Sequence, residues 1–309
     1  MAIGTLARRH LPLLLAVALV AGGAALVGSA RAAAPPVAPP TAEDMVAIPG
    51  GTYPLGSDTG ARDARPAHTV TLAPFAIDRT EVTAAAFAAF LNGLDVRVLA
   101  DAPAGSVRRD QLAGPEARLL FEGREGEQQR PFIALDDEHS LIALKGGRFV
   151  AADGFAHHPV PEVTWDGAVA FCAARGARLP TEAEWEAAAR GREGRTYPWG
   201  EARPDATRAV IGRRSGQTEP VGSRPAGATP DGLLDMAGNL QEWTSTLYRP
   251  YPYEPTDGRE TPGVAGERVT RGGDHVYDDG PATLTGFHRT GFSRAPDRGH
   301  RQIGFRCAR

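Results

Sequence analysis

The sequence is short of several features that would classify it quickly. It has two cysteines in 309 residues, Cys172 and Cys307, which excludes a disulfide-dense scaffold. It has one lysine, Lys145, so its basic charge is almost all arginine. Its 34 basic side chains are matched by 37 acidic ones, for a formal net charge of -3. No basic block or recognition motif appears, which argues against a nucleic-acid partner. A chain 42% hydrophobic with so little net charge is not a disordered one. There is no Gly-x-Ser-x-Gly, no phosphate-binding loop and no Cys-x-x-Cys, and no serine and histidine stand in a triad-like setting. No internal repeat at a fixed period is visible. What the chain has in excess is 37 glycines and 26 prolines, about a fifth of the residues against roughly 12% in an average protein. Helix breakers at that density exclude a long bundle or coiled coil. They leave a loop-rich globular protein of one large domain or two small ones.

The N-terminus reads as a targeting segment. Arg8, Arg9 and His10 precede a 17-residue apolar run, Leu11 to Val27, and then Ala30-Arg31-Ala32. A basic region, a short apolar core and an A-x-A site make residues 1–32 a signal peptide, and an uncleaved membrane anchor is the alternative. The Arg8-Arg9 pair hints at the twin-arginine route. Losing Arg8, Arg9 and Arg31 takes the formal charge from -3 to -6. Residues 33–43 are Ala/Pro-rich and read as a stiff linker. Export places the protein in the periplasm or outside the cell, where two cysteines can pair.

From Met45 onward, short strand-like runs alternate with turns. Val46–Ile48 reads as a strand ending at Gly50-Gly51, and His68–Leu72 alternates like a half-buried strand. Three helices are expected. The first spans about Thr83 to Leu91 with Gly93 as its stop. The second is N-capped by Thr164 and ends before Gly176. The third opens with a Thr181/Glu184 capping box and stops at Gly191. Residues 100–156 show little periodicity, carry a charged run from Gly123 to Arg130 and a hairpin around Gly146-Gly147, and read as a divergent insertion.

Several motifs carry a family resemblance. They are Met45–Gly51 with Gly56-Ser57, Ile77–Thr83, Arg178–Glu186, Tyr197–Gly200, Asp231–Leu233 with Asp235–Asn239, Glu242–Thr244, Arg271–Gly273 and Ile303–Cys307. In this order they resemble the formylglycine-generating-enzyme, or sulfatase-modifying-factor, family over about residues 44–309, with 100–156 poorly covered. The resemblance implies an α/β (α+β) domain, irregular and C-type-lectin-like, with little regular secondary structure.

Members that make formylglycine convert a sulfatase cysteine to an aldehyde, using a copper-binding cysteine pair. A soft thiolate pair selects Cu(I). These cysteines follow a Gly-Gly-Ser stretch at its third and eighth following positions. Here the stretch is Gly272-Gly273-Asp274, and the two positions hold Tyr277 and Ala282. A copper cofactor is therefore not expected. The resemblance matches Cys172 and Cys307 to the family's structural pair and implies a disulfide between them.

At the place of the family's chemistry stand Asp274, His275, Tyr277, Asp278 and Asp279, with His288 and Arg289 further on. Carboxylates and imidazoles of this kind could hold a non-haem Fe or similar metal, the alternative being polar residues of a surface loop. The catalytic candidates are Asp274, His275, Tyr277, His288 and Arg289. The run Asp235–Glu242 resembles a family calcium loop and implies one structural Ca²⁺. Its ligands would be the side chains of Asp235 and Glu242 and the carbonyls of Gly238 and Leu240, all hard oxygens. Asp136-Asp137-Glu138-His139 reads as an exposed acidic turn, with a metal or substrate site as the alternative. His157-His158 reads as a loop edge or cleft lining. Trp165, Trp185, Trp199 and Trp243 read as core anchors.

Two function classes survive. One is an exported oxidoreductase or maturation factor acting on a peptide or small-molecule substrate without the copper–cysteine site, similar to the family's periplasmic pyoverdine-maturation members. The other is a non-catalytic, calcium-stabilised lectin-like binding module. A true formylglycine generator acting on sulfatases ranks third. A monomer is expected, meeting the membrane only through an uncleaved signal anchor.

Overall fold

The long stretches between strands carry as much of this fold as the strands do. A computed structural model describes residues 44–98, 112–113, 132–291 and 296–309. The signal-peptide, twin-arginine and linker expectations fall on residues 1–43, outside the described residues. Among the described residues, no helix is long and apolar enough to cross a membrane.

The chain opens with β1 (Met45–Ile48), β2 (Gly51–Leu55), β3 (His68–Leu72) and β4 (Phe75–Asp78). β2 and β3 form an antiparallel hairpin, and β1 pairs antiparallel with β4. Then come α1 (Ala84–Gly93), the two-residue strands β5 (Arg97–Val98) and β6 (Leu112–Ala113), and the hairpin β7 (Ile142–Lys145) and β8 (Arg148–Ala151). Two more helices follow, α2 (Trp165–Ala174) and α3 (Glu182–Arg190). The last strands are β9 (Gln241–Leu247), β10 (Arg268–Arg271), β11 (Arg289–Thr290) and β12 (Ile303–Gly304). They make one sheet in the order β11-β10-β9-β12, in which β9 runs antiparallel to β10 and parallel to β12.

The helix starts follow from local chemistry. Thr83 and Thr164 accept the amides of Ala86 and Gly167 at 3.2 and 3.0 Å. At α3 the box is complete: Thr181 Oγ1 accepts from Glu184 N at 3.1 Å, and the Glu184 carboxylate accepts from Thr181 N at 2.8 Å. Each cap satisfies amides that have no partner within the helix and contributes about 1 kcal/mol. Gly191, at φ +63°, ends α3 with its amide on Ala187 O.

Two apolar clusters fill the interior. The first joins Phe87 and Leu91 of α1, Phe171 of α2, and Trp243, Ile303 and Phe305 from the C-terminal sheet region. Phe87, Phe171 and Phe305 meet with ring centroids 5.4–6.1 Å apart. The second lies under β1–β4 and α3, around Trp185, Met236 and Tyr251. The Cys172–Cys307 disulfide ties α2 to the C-terminus.

The expected insertion contributes to the core: of its described residues, Ile133, Leu135, Ile142, Leu144 and Phe149 are buried in the first cluster, while its charged run at 123–130 lies outside the described residues. Alternate β8 side chains pack inward, a periodicity too short to stand out in the sequence. Of the four tryptophans, Trp165, Trp185 and Trp243 are buried, but Trp199 is half-exposed and stacks on Tyr197 at 5.5 Å.

Candidate functional site

β10 delivers the chain into the site through Gly272 (φ +100°) and Gly273 (φ +67°). A Cβ on Gly273 would stand 2.5 Å from Asp278 O, so the turn tolerates only glycine. Asp274 follows, fully buried. One of its oxygens accepts the amides of Val276 and Tyr277 at 2.7 and 2.6 Å, and the other accepts Gln241 Nε2 at 2.9 Å. Gln241, the first residue of β9, also donates to Asp278 at 3.0 Å and accepts from Thr270 Oγ1 at 2.8 Å. Asp274 thus shapes the turn that turns Tyr277 outward, where it is 57% exposed. Arg301 donates to the Tyr277 hydroxyl and lies 5.5 Å from its ring centroid. Gln241, Asp274, Tyr277, Asp278, Arg301 and Gln302 line a cavity of about 390 Å³.

His275 is buried behind this wall, 1% exposed. Its Nδ1 donates to Asn239 O at 2.6 Å, which fixes the tautomer and leaves the lone pair on Nε2, an atom with no hydrogen-bond partner. Burial lowers its pKa and keeps the ring neutral.

Asp274 and Tyr277 line the cavity and His275 lies buried behind them, but His288 and Arg289 belong elsewhere. Arg289, on β11, pairs through Nε and Nη2 with both oxygens of Glu182 at 2.6 and 2.8 Å, and its guanidinium lies 4.1 Å from the Tyr251 ring centroid. Arg271 pairs with Glu186 of α3 and faces Glu182 at 3.8 Å. All four side chains of this network are fully buried. His288 sits beside it, pushed down to about 4 by burial and by the Arg271 charge. The non-haem metal expected on Asp274, His275, Tyr277, Asp278 and Asp279 with His288 finds no preformed cluster: among the described residues these Asp and His side chains do not bring three ligand atoms together, and His288 packs against a different network. Copper does not fit either, since no thiolate stands at Tyr277 or Ala282.

A second group joins Asp137 and His139, from the turn read as acidic with a metal or substrate site as the alternative, to Glu162, which sequence reasoning missed. Asp137, His139 and Glu162 bring one ligand-type atom each within 4.8 Å of one another. Glu162 is buried at φ +63°, a strained backbone for a side chain with a Cβ. Burial, then the Asp137 charge, raises its pKa to about 8, so it carries the proton of its hydrogen bond to Asp137. Arg301 faces it as the opposing charge. His139 reaches Asp137 Oδ1 through Nδ1 at 3.2 Å and Ser215 Oγ through Nε2 at 3.1 Å. The expectation that no serine and histidine stand in a triad-like setting is therefore wrong. The partners lie 76 positions apart on irregular loops, and only the Asp-x-His spacing could have drawn attention to one half of the group. His157 and His158 face the 218–221 segment instead, through Val221 N and Thr218 Oγ1.

In the run Asp235–Glu242, expected to bind calcium, Asp235, Gly238 and Asn239 all have positive φ, which wraps the backbone tightly. Glu242 accepts from Arg306 with both oxygens at 2.7 Å and from Trp185 Nε1 at 2.8 Å. Glu81 and Asp235 face the same guanidinium, and burial raises both of their pKa values. Three buried carboxylates around one arginine are short of positive charge. Both Glu242 oxygens are thus taken by Arg306, which leaves the Asp235 carboxylate and the loop carbonyls as the hard oxygens for the expected calcium.

This architecture, irregular loops on small sheets with a site after the β10 turn, defines an α/β domain of the C-type-lectin-like, formylglycine-generating-enzyme kind. A family model described as "Sulfatase-modifying factor enzyme 1-like domain" matches residues 30–309. The formylglycine-generating enzyme of Streptomyces coelicolor is 34% identical, covering 89% of this chain and 91% of that protein. An inactive C-alpha-formylglycine-generating enzyme 2 of Bos taurus is 33% identical, covering 86% and 87%. The solved structure of PvdO from Pseudomonas aeruginosa superimposes with a TM-score of 0.55 at 28% identity, over 86% of this chain and 93% of that one. The chain belongs to the sulfatase-modifying factor family.

Proposed function

We propose that this protein is an exported maturation factor of oxidoreductase type. It takes a peptide or small-molecule substrate into the Tyr277–Arg301 cavity and modifies it without a copper–thiolate centre. Tyr277 carries this reading. It stands where copper-binding members place their first thiolate, it forms the exposed wall of the cavity, and Arg301 pins its hydroxyl. A pinned phenol offers a proton or a hydrogen bond at one fixed point, and the guanidinium beside it suits an anionic group on the substrate. Asp278 and Gln302 supply further polar contacts at the cavity rim. One structural calcium, held by the Asp235 carboxylate and the Gly238 and Leu240 carbonyls, would fix the loop that precedes β9. The N-terminal segment supports export to the periplasm or beyond, and the domain acts as a monomer.

The test is to incubate the purified protein with an extract of cells lacking it and to follow masses by liquid chromatography and mass spectrometry. The expected result is one peptide or small molecule whose mass changes with the wild type and does not change with Tyr277→Phe/Arg301→Ala. The likeness to inactive relatives favours a second reading, a binding module. That reading predicts a compound retained by the protein and released at unchanged mass.

A further inference from the structure

Ser215, His139 and Asp137 form a hydrogen-bonded chain that the Tyr277 cavity does not use. Asp137 sets its direction. A carboxylate can only accept, so the proton of the His139 ring sits on Nδ1 and points to Asp137 Oδ1 at 3.2 Å. Nε2 then carries the lone pair, and the Ser215 hydroxyl, 3.1 Å away, is the donor to it. Asp137 Oδ1 also accepts the His139 amide at 2.8 Å, which closes the 137–139 turn and holds the carboxylate against the ring. Behind Asp137, Glu162 donates its carboxyl proton to the same carboxylate. The imidazole side chain is 15% exposed, while Ser215 is half-buried at a turn and reachable from solvent. Gly216 follows at φ +76°. A Cβ there would approach the His139 ring to 3.3 Å, so glycine lets the turn lie close against the base.

We propose that Ser215 and His139, positioned by Asp137, are a nucleophile and general base that hydrolyse a carboxylic ester. Ser215 Oγ bonds to the ester carbonyl carbon as its proton moves to His139 Nε2. The Gly216 amide, next in the chain after the nucleophile, is the donor for the oxyanion. The bond from carbon to the alkoxy oxygen then breaks, and His139 returns the proton to the departing alcohol. Water attacks the acyl-Ser215 ester with His139 again as base, releasing the carboxylic acid and restoring the serine. Ester and water give acid and alcohol, and no oxidant is consumed.

The same side chains could instead hold a divalent cation, since Asp137, His139 and Glu162 lie within 4.8 Å of one another. The geometry favours the nucleophile. Both imidazole nitrogens already have partners, Glu162 is hydrogen-bonded to Asp137, and Arg301 adds positive charge beside them. This inference goes beyond the maturation reading, because its nucleophile, base and orienting carboxylate all lie outside the Tyr277 cavity lining.

The test uses the full chain and a fluorophosphonate probe, read by intact mass and peptide mapping, with p-nitrophenyl acetate turnover alongside. The expected result is a single adduct on Ser215. It should be absent in Ser215→Ala and slowed on the order of 10²-fold or more in His139→Ala, with thermal melts confirming that both variants fold. Asp137→Asn should fold normally, label slowly and change the pH profile of labelling, because His139 loses the carboxylate that sets its tautomer. No adduct on the folded wild type, an adduct on another serine, or equal labelling of His139→Ala would each overturn the proposal. So would a stoichiometric metal that His139→Ala and Asp137→Asn release, since His139 would then be a ligand.

Discussion

Removing the Arg289 guanidinium should cost stability. Its Nε and Nη2 hold both oxygens of Glu182, its Nη1 donates to the carbonyls of Asp63 and Arg249 at 3.1 and 2.9 Å, and its face covers Tyr251. In Arg289→Ala the Glu182 carboxylate stays fully buried with Arg271 Nη1, 3.8 Å away, as its remaining cation. Breaking one partner from a buried pair costs about 3–5 kcal/mol, because the charge left behind keeps its desolvation cost. At roughly 2–4 °C per kcal/mol for a domain of this size, the melting temperature should fall by about 6–20 °C. Replacing Glu182 by Gln in the same protein should recover part of that loss, since no uncompensated charge then remains. Circular dichroism melts of the wild type, both single variants and the double variant at neutral pH measure the coupling directly. An Arg289→Ala melt within about 1 °C of wild type would refute the reasoning and return Arg289 to the candidate catalytic group.

Three further outcomes follow from other parts of the molecule. Adding Ca²⁺ after chelation should raise the melting temperature of the wild type, and Asp235→Ala should remove that response; differential scanning fluorimetry reads both. Reducing Cys172–Cys307 opens a loop with a sequence separation of 135, so denaturant titration should show a loss of up to about 5 kcal/mol in the chain-entropy limit. Glu162, raised to about 8, binds a proton in the folded state that it has lost in the unfolded chain above its ordinary value. Its contribution is complete below that ordinary value and disappears as pH rises through about 8. Melting temperatures should therefore decline from pH 5 to pH 9, and less steeply in Glu162→Gln.

What the sequence revealed about this protein was mostly local. Thr83, Thr164 and Thr181 sit next to the amides they cap, so a few residues decide each helix start. Asp274, His275 and Tyr277 came together because three of four consecutive positions share one turn. Arg289 misled because the chain returns through β11, and pairing with β10 carries its side chain under α3, toward Glu182 and away from the cavity. The Ser215–His139 contact was hidden for a related reason. Neither loop has a period, and the contact depends on the packing of the whole domain. Glu162 gave no signal at all, since nothing in Pro161-Glu162-Val163 announces a positive φ.

The central claim is that this domain keeps the family's fold and has left its copper–thiolate chemistry. The most direct measurement supplies the purified protein with Cu(I), oxygen and a peptide carrying a sulfatase-type cysteine, and follows the peptide by mass spectrometry. The account predicts an unchanged cysteine and no copper retained after desalting. Conversion of that cysteine to an aldehyde, with copper bound one to one, would contradict it.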